Sequence, residues 1–310
     1  MIYTPLVISL GMVGSSSSLW TMWLGLEMYN FSLIPWLYKQ SSKISKDKIF
    51  KYFIIQMVSS SLFLMGVLLE ISSSLLVISM VMKLGGFPFH MWVVIMLENM
   101  SWKKLEILLT LSKMTGLLIM SMINPTLSSL SPYMLGVLTP LGGLKEMSVR
   151  KLFSLSSISH LSWMFMIICQ SPSLTLIYFL SYWLVLSVGC KFMYMLNIHS
   201  LKDLMMPSSM KLSGTILMIV LMGFPPFFGF VPKFLTIKLM AESSYIILLL
   251  FMCVSSIFPM YMYIKLFLNL FTSVNHWNMS FTYMKESANF LMMFEFILIL
   301  GLNFMVLYWI

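Results

Sequence analysis

Four ionisable side chains stand inside long apolar runs of this chain: Glu27 in WLGLEMYNF, Lys83 in VMKLGG, Lys113 in LLTLSKMTG and Lys233 in GFVPKFL. His90 and His160 accompany them. A carboxylate, three amines and two imidazoles share one chemistry that needs no cofactor, the uptake and release of protons. Desolvation favours a neutral amine and a neighbouring carboxylate favours the ammonium, so an enclosed lysine can exchange protons near neutral pH. Arginine effectively cannot, and the only arginine, Arg150, falls in a loop region. A charge at the centre of a bilayer costs at least about 2.5–3.5 kcal/mol, and charges kept there mark ion or proton routes.

Other ionisable residues have simpler explanations. Lys191 and Lys265 lie close enough to helix ends for the ammonium to reach the interface along its own stem. Glu295 suits an interfacial or inter-subunit pair, and His160, on SSISH, has the alternative of a backbone hydrogen bond. Lys83, Lys113 and Lys233 lie deeper, where that reach becomes hard. The sequence holds no GxGxxG, Walker loop, CxxC, HExxH or nucleophile elbow. Its four histidines (His90, His160, His199, His276) are too dispersed to propose a metal or haem site, and Cys169, Cys190 and Cys253 show no pairing or ligand spacing. No cofactor or metal is expected on this chain.

The elements that must hold these groups follow from composition. Of 310 residues, 59% are hydrophobic and 9% charged, with mean hydropathy +0.93. A soluble domain carries about 25% charged residues, so the chain is read as an all-α integral membrane protein. Its apolar runs are continuous rather than alternating, which argues against a barrel. Runs of about 20 residues cross roughly 30 Å of hydrocarbon. They are expected at 3–20, 22–38, 49–69, 72–98, 104–123, 130–144, 152–169, 174–197, 212–240, 244–271 and 289–309, eleven helices in all. GGFPFH interrupts the fourth and GFPPFFGFVPK the ninth. Pro88, Pro225, Pro226 and Pro232 remove backbone donors there, and the glycines permit unwinding. Two broken helices in corresponding positions are the mark of repeated halves around an ion pathway. The halves are 1–123 and 130–271; five helices each makes them inverted, with 289–309 as an added C-terminal helix. Lys83 precedes one break and Lys233 follows the other.

Charge gives the orientation. The even-numbered loops and their edges hold Lys39, Lys43, Lys46, Lys48, Lys51, Lys103, Lys104, Lys145, Arg150, Lys151, Lys202, Lys211 and Lys285, while the odd ones hold Lys238 beside Glu242. That bias places the even loops and the N-terminus inside and the C-terminus outside. It accounts for the net charge of +9 without nucleic-acid binding. The N-terminus resembles neither a signal peptide nor an Arg-rich transit peptide. Thirty-four methionines fit the animal mitochondrial code, in which an isoleucine codon is read as methionine.

WLGLEMYNFSLIPWL, KYFIIQ, MKLGGFPFHMW, VRKLFSLSSISHLSWM and GFPPFFGFVPKF, in this order, resemble the subunit 2 family of mitochondrial NADH:ubiquinone oxidoreductase (complex I), one of the antiporter-like membrane subunits. The resemblance covers nearly the whole chain. It implies an eleven-helix fold, a coupled pair formed by Glu27 and Lys83, a central relay lysine at Lys113 and an exit-side lysine at Lys233. It also implies a mitochondrial inner-membrane location with the N-terminus in the matrix. The other membrane subunits of the complex, including neighbouring antiporter-like ones, and lipids such as cardiolipin would be partners. NADH, FMN, iron–sulfur clusters and ubiquinone belong elsewhere in the complex. The chain departs from the family where a Pro-Glu pair usually follows PFHMW, here Val94 and Ile95, and where a proline follows the central lysine, here Gly116. Two other functions share these features: a sodium/proton antiporter subunit of the same fold, and an assembly scaffold whose lysines only pair with neighbours.

Overall fold

The computed structural model describes residues 3–39, 43–69, 73–123, 125–126, 130–200, 208–225, 227–242 and 245–272. Among them the chain is helical, with one isolated bridge between Ser148 and Ser200. They fall into two compact units. One runs to Gly136 and includes Met164–Pro172; the other holds Val137–Trp163 and the residues from Ser173 on. The first contains α1 (Tyr3–Ser15), α2 (Leu19–Tyr38), α3 (Lys43–Leu68), α4 (Ser73–Leu84), α5 (Met91–Leu97) and α6 (Trp102–Ile123). The chain continues with α7 (Pro140–Gly143), α8 (Val149–Ile168, its last turn counted with the first unit), α9 (Pro172–Met195), α10 (Ser208–Met222), α11 (Val231–Ala241), α12 (Ile246–Ser255) and α13 (Ile257–Thr272).

Among the described residues five stretches are long and apolar enough to cross a membrane: Ser45–Leu68, Trp102–Ile123, Val149–Ile168, Pro172–Met195 and Ile246–Asn269, the last formed by α12 and α13. Large apolar side chains cover their outer surfaces, with Phe50, Ile177 and Val254 exposed and Ile247 at 86%. No water-facing helix could keep such a surface. The chain is a multi-pass membrane protein. Its serines behave accordingly: the hydroxyls of Ser59, Ser60, Ser156, Ser159 and Ser162 each donate to the carbonyl three residues back, which hides a polar group against its own helix.

The expected boundaries shift in places. The division between the first two runs falls at 16–18 rather than near 21, because Ser18 caps α2 by accepting from the Thr21 amide. The third run begins at Lys43, earlier than its apolar part. The sixth, expected as one helix over 130–144, is instead a 3₁₀ stretch, Ser131–Leu138, followed by the single turn of α7. Pro132, Gly136, Pro140, Gly142 and Gly143 lie too close together for a continuous α-helix. Both broken helices are broken where expected. The run at 289–309, Glu295, His276, Lys202, Lys285 and Pro226 lie outside the described residues.

Candidate functional site

The first break begins as a helix end. Gly85 has φ +67°, and the amides of Gly85 and Gly86 donate back to Met82 O at 3.2 Å and Val81 O at 2.9 Å. Only glycine takes this left-handed cap without strain. Two side chains complete it: Trp92 Nε1 donates to Met82 O and Gln56 Nε2 to Lys83 O, each at 3.3 Å. Protein donors, rather than open water, therefore satisfy these three carbonyls of the interrupted helix. The closure is tight, since a Cβ on Gly85 would come within 2.2 Å of Val93 Cγ2.

This cap fixes Lys83 in the last turn of α4, where the helix dipole favours a cation. Its Nζ lies 3.7 Å from Glu27 Oε1 on α2. Lys83 is 6% exposed and Glu27 8%. The separation is longer than the roughly 2.7–2.9 Å of a charge-assisted hydrogen bond, and neither atom has a hydrogen-bond partner among the described residues. The two charges attract without being locked together. Lys113, 3% exposed, stands midway along α6. One turn on, Gly116 packs against α4: a Cβ there would approach Leu84 Cδ2 to 2.5 Å. Gly116 thus lets α6 lie directly on the end of α4. Lys113 and Ser112 border a small cavity otherwise walled by apolar and aromatic groups such as Leu84, Trp92 and Leu109. His90 sits in the break itself, its carbonyl accepting from Val93 N at 3.0 Å. Its ring stacks on Phe87, with centroids 5.7 Å apart, and its buried Nδ1 has no hydrogen-bond partner among the described residues.

The second unit repeats the device with the lysine on the other side. Gly223 has φ +69° and donates to Val220 O at 3.0 Å. The chain then turns through the 3₁₀ residues Phe228–Phe230 into α11. Gly229 passes so close to α10 that a Cβ would fall 1.9 Å from Val220 O. Lys233, 6% exposed, is the third residue of α11, and its Nζ would lie 2.9 Å from a Cβ on Gly223. The ammonium therefore rests against the unwound turn, at a helix amino end whose dipole opposes it. Nearby on α8, His160 Nδ1 pairs with the Tyr178 hydroxyl at 2.9 Å and the ring lies 5.0 Å from that of Tyr182. Ser156 and Tyr263 share a hydrogen bond of 2.7 Å. Ser156, His160, Ser181, Tyr182 and Tyr263 line one cavity together with Pro232, the neighbour of Lys233.

Of the six expected residues, Glu27 and Lys83 are in contact; Lys113 and His90 belong to the same unit, and His160 and Lys233 border features of the other. Lys191 is exposed. Lys265 is half-buried, and its Nζ donates to Leu144 O at 3.2 Å, which ties α13 to the end of α7. Gln56, Tyr178, Tyr182 and Tyr263 escaped the sequence reading, because an amide or phenol in an apolar run looks like bulk. The i, i+4 spacing of Tyr178 and Tyr182 was the one available signal. Among the described residues no three His, Cys, Asp or Glu side chains converge as metal ligands would.

Residues 67–259 match the family described as NADH:quinone oxidoreductase/Mrp antiporter, TM. The chain is similar to the NADH-ubiquinone oxidoreductase chain 2 of Artemia franciscana, 34% identical over 254 residues, which is 81% of this chain and 83% of that one. It is similar also to the protein of that name from Halichoerus grypus, 30% identical over 310 residues, covering 91% and 89%. Its fold is similar to a chain of respiratory complex I from Thermus thermophilus with bound aureothin, at TM-score 0.86 and 19% identity, covering 97% of this chain and 77% of that one.

Proposed function

The chain belongs to the NADH:quinone oxidoreductase/Mrp antiporter family, and on that premise we propose that it is a proton-translocating membrane subunit of the respiratory NADH:ubiquinone oxidoreductase, complex I. The observation that carries this reading is the enclosed pair of Glu27 and Lys83, held 3.7 Å apart beside a broken helix. Lys113, Lys233, His90 and His160 are its further relay groups. Electron transfer from NADH to ubiquinone takes place in other subunits, which hold the FMN, the iron–sulfur clusters and the quinone.

Separating the Glu27 carboxylate from Lys83 takes away the charge that steadies the ammonium. Unit charges about 4 Å apart in a protein interact by about 4 kcal/mol, worth roughly three orders of magnitude in an equilibrium. The change is enough to send a proton on from Lys83 to the next amine. Lys113 is the central carrier and Lys233 the one towards the exit.

In this reading the chain crosses the mitochondrial inner membrane eleven times, as two inverted five-helix repeats, 1–123 and 130–271, and a final helix, 289–309. The near-equal φ of Gly85 and Gly223, each beside a buried lysine, supports the repeat. The lysine-rich even loops support a matrix N-terminus and an intermembrane C-terminus. The methionine excess supports mitochondrial encoding. Other membrane subunits of the complex cover part of the apolar surface, and lipids such as cardiolipin the rest. The test is the complete complex in sealed vesicles. Glu27→Gln and Lys83→Met should each lower the protons carried per electron while uncoupled electron transfer continues. Unchanged ratios in fully assembled complexes of both variants would defeat the reading.

A further inference from the structure

One face of α2 holds two nitrogen donors beside the Glu27 carboxylate that nothing described takes up. Trp23 Nε1 and Asn30 Nδ2 are buried without a hydrogen-bond partner among the described residues, like Glu27 Oε1 and Lys83 Nζ. Asn30 is 5% exposed. Trp23, Glu27 and Asn30 occupy positions i, i+4 and i+7, which lie within about 60° of one another round a helix. Tyr29, whose buried hydroxyl is also unpartnered, is about 200° from Glu27 and belongs to another face. Leaving a buried donor unmatched costs about 1–3 kcal/mol, so keeping two of them on the carboxylate's own face calls for a recipient. Glu27 can supply it. Residues three and four apart on a helix are side-chain neighbours, and the long carboxylate arm reaches either without moving the backbone.

Taking Glu27 as the working carboxylate of the relay, we propose that Asn30 and Trp23 form a second seat for it. When the Lys83 ammonium passes its proton onward, the amine becomes neutral and its hold on the carboxylate disappears. Glu27, still an anion, then turns to the Asn30 amide and the Trp23 indole N–H. Neither of these donors titrates, so both can stabilise the anion without surrendering a proton to it. The turn also parts Glu27 from Lys83 while Lys83 is empty, which blocks direct exchange between them. Reprotonation of Lys83 draws the carboxylate back. The only bonds broken and made are those of the proton that moves.

The assembled complex carrying Lys83→Met tests the seat directly. With the cation removed, a density map should place the Glu27 carboxylate about 3 Å from Asn30 Nδ2. A carboxylate still directed at residue 83, or one left aside while ordered water fills both donors, overturns the proposal. Function gives a second reading. Asn30→Leu should lose roughly half or more of the protons carried per electron, as loss of a group acting through a buried charge predicts. Asn30→Gln, which keeps the amide, should recover most of that, and Met28→Leu on the exposed face should lose nothing. In a Glu27→Gln background Asn30→Leu should add no further loss; losses that multiply contradict a role through the carboxylate. Normal pumping by Lys83→Met with the carboxylate on Asn30 would refute the relay and leave the seat. Failed pumping with the carboxylate unmoved would remove the seat and leave the relay.

Discussion

Lys113 and Lys191 are both lysines in the middle of apolar sequence, and their surroundings differ completely. Lys113 is 3% exposed within α6, whereas Lys191 is exposed on α9. An enclosed cation at membrane depth costs at least about 2.5–3.5 kcal/mol; an exposed one near a helix end costs far less. Lys113→Met should therefore cut coupled proton transfer about tenfold or more, equivalent to about 1.4 kcal/mol or more of lost barrier lowering. Lys191→Met should leave it near the parent value. Proton release per electron in reconstituted vesicles measures both, and equal collapse of the two would show that burial is not what matters. The lysines could be recognised in the sequence because a charge in an apolar run breaks the local pattern. Asn30, Trp23, Gln56 and the three tyrosines break no pattern, since none of them carries a charge. The partner of Lys265 is hidden for a related reason: the Leu144 carbonyl that holds it is 121 residues away in the chain, and no local signal announces it.

At the scale of elements, the two breaks rest on glycines that are replaceable in neither space nor conformation. A Cβ on Gly85 or Gly223 must adopt a left-handed φ, at about 1–2 kcal/mol, and must also displace Val93 or the Lys233 ammonium. Gly142 has open space and no such φ. Gly85→Ala and Gly223→Ala should each lower the stability of the subunit by a few kcal/mol, with Gly142→Ala close to neutral. Gln56→Leu should cost about 1–3 kcal/mol, because it leaves the Lys83 carbonyl buried and unmatched. Thermal unfolding of the detergent-solubilised complex, read through release of this subunit, ranks the four. A Gln56→Leu complex as stable as the parent would mean that the carbonyl finds another donor. Glycine and proline made the breaks at 85–90 and 223–230 visible beforehand. The same residues hid the path at 130–144, where apolar composition suggested a crossing and closely spaced Pro132, Gly136 and Pro140 produced a 3₁₀ stretch and a single turn. Hydropathy reports the medium around a segment, and backbone sterics decide its course within that medium.

At the scale of the whole molecule, the lysines on which the proposed orientation rests also brace helix ends. Lys104 donates to the carbonyls of Leu37 and Lys39 at 2.6 Å each, closing the carboxyl end of α2, and Lys48 pairs with Glu98 at 2.9 Å just beyond α5. A cation at a helix carboxyl end meets the negative pole of its dipole, so lysines that the proposed orientation puts inside also finish helices. The proposed orientation ties the topology to a measurable exposure. Asp47, near the start of α3, and Glu242, at the end of α11, are both exposed, and the proposed topology puts these two helix ends on opposite sides. In a background freed of Cys169, Cys190 and Cys253, an impermeant maleimide added to intact inner-membrane vesicles of native orientation should label Glu242→Cys. Asp47→Cys should be labelled only after the membrane is opened, or in inverted vesicles. Labelling of both from one side would place an odd number of crossings wrongly between them and would break the inverted pairing of the two halves. Lys83 stands before one break and Lys233 after the other, as the proposed inverted pairing requires, so the maleimide result bears on the direction of the proposed relay.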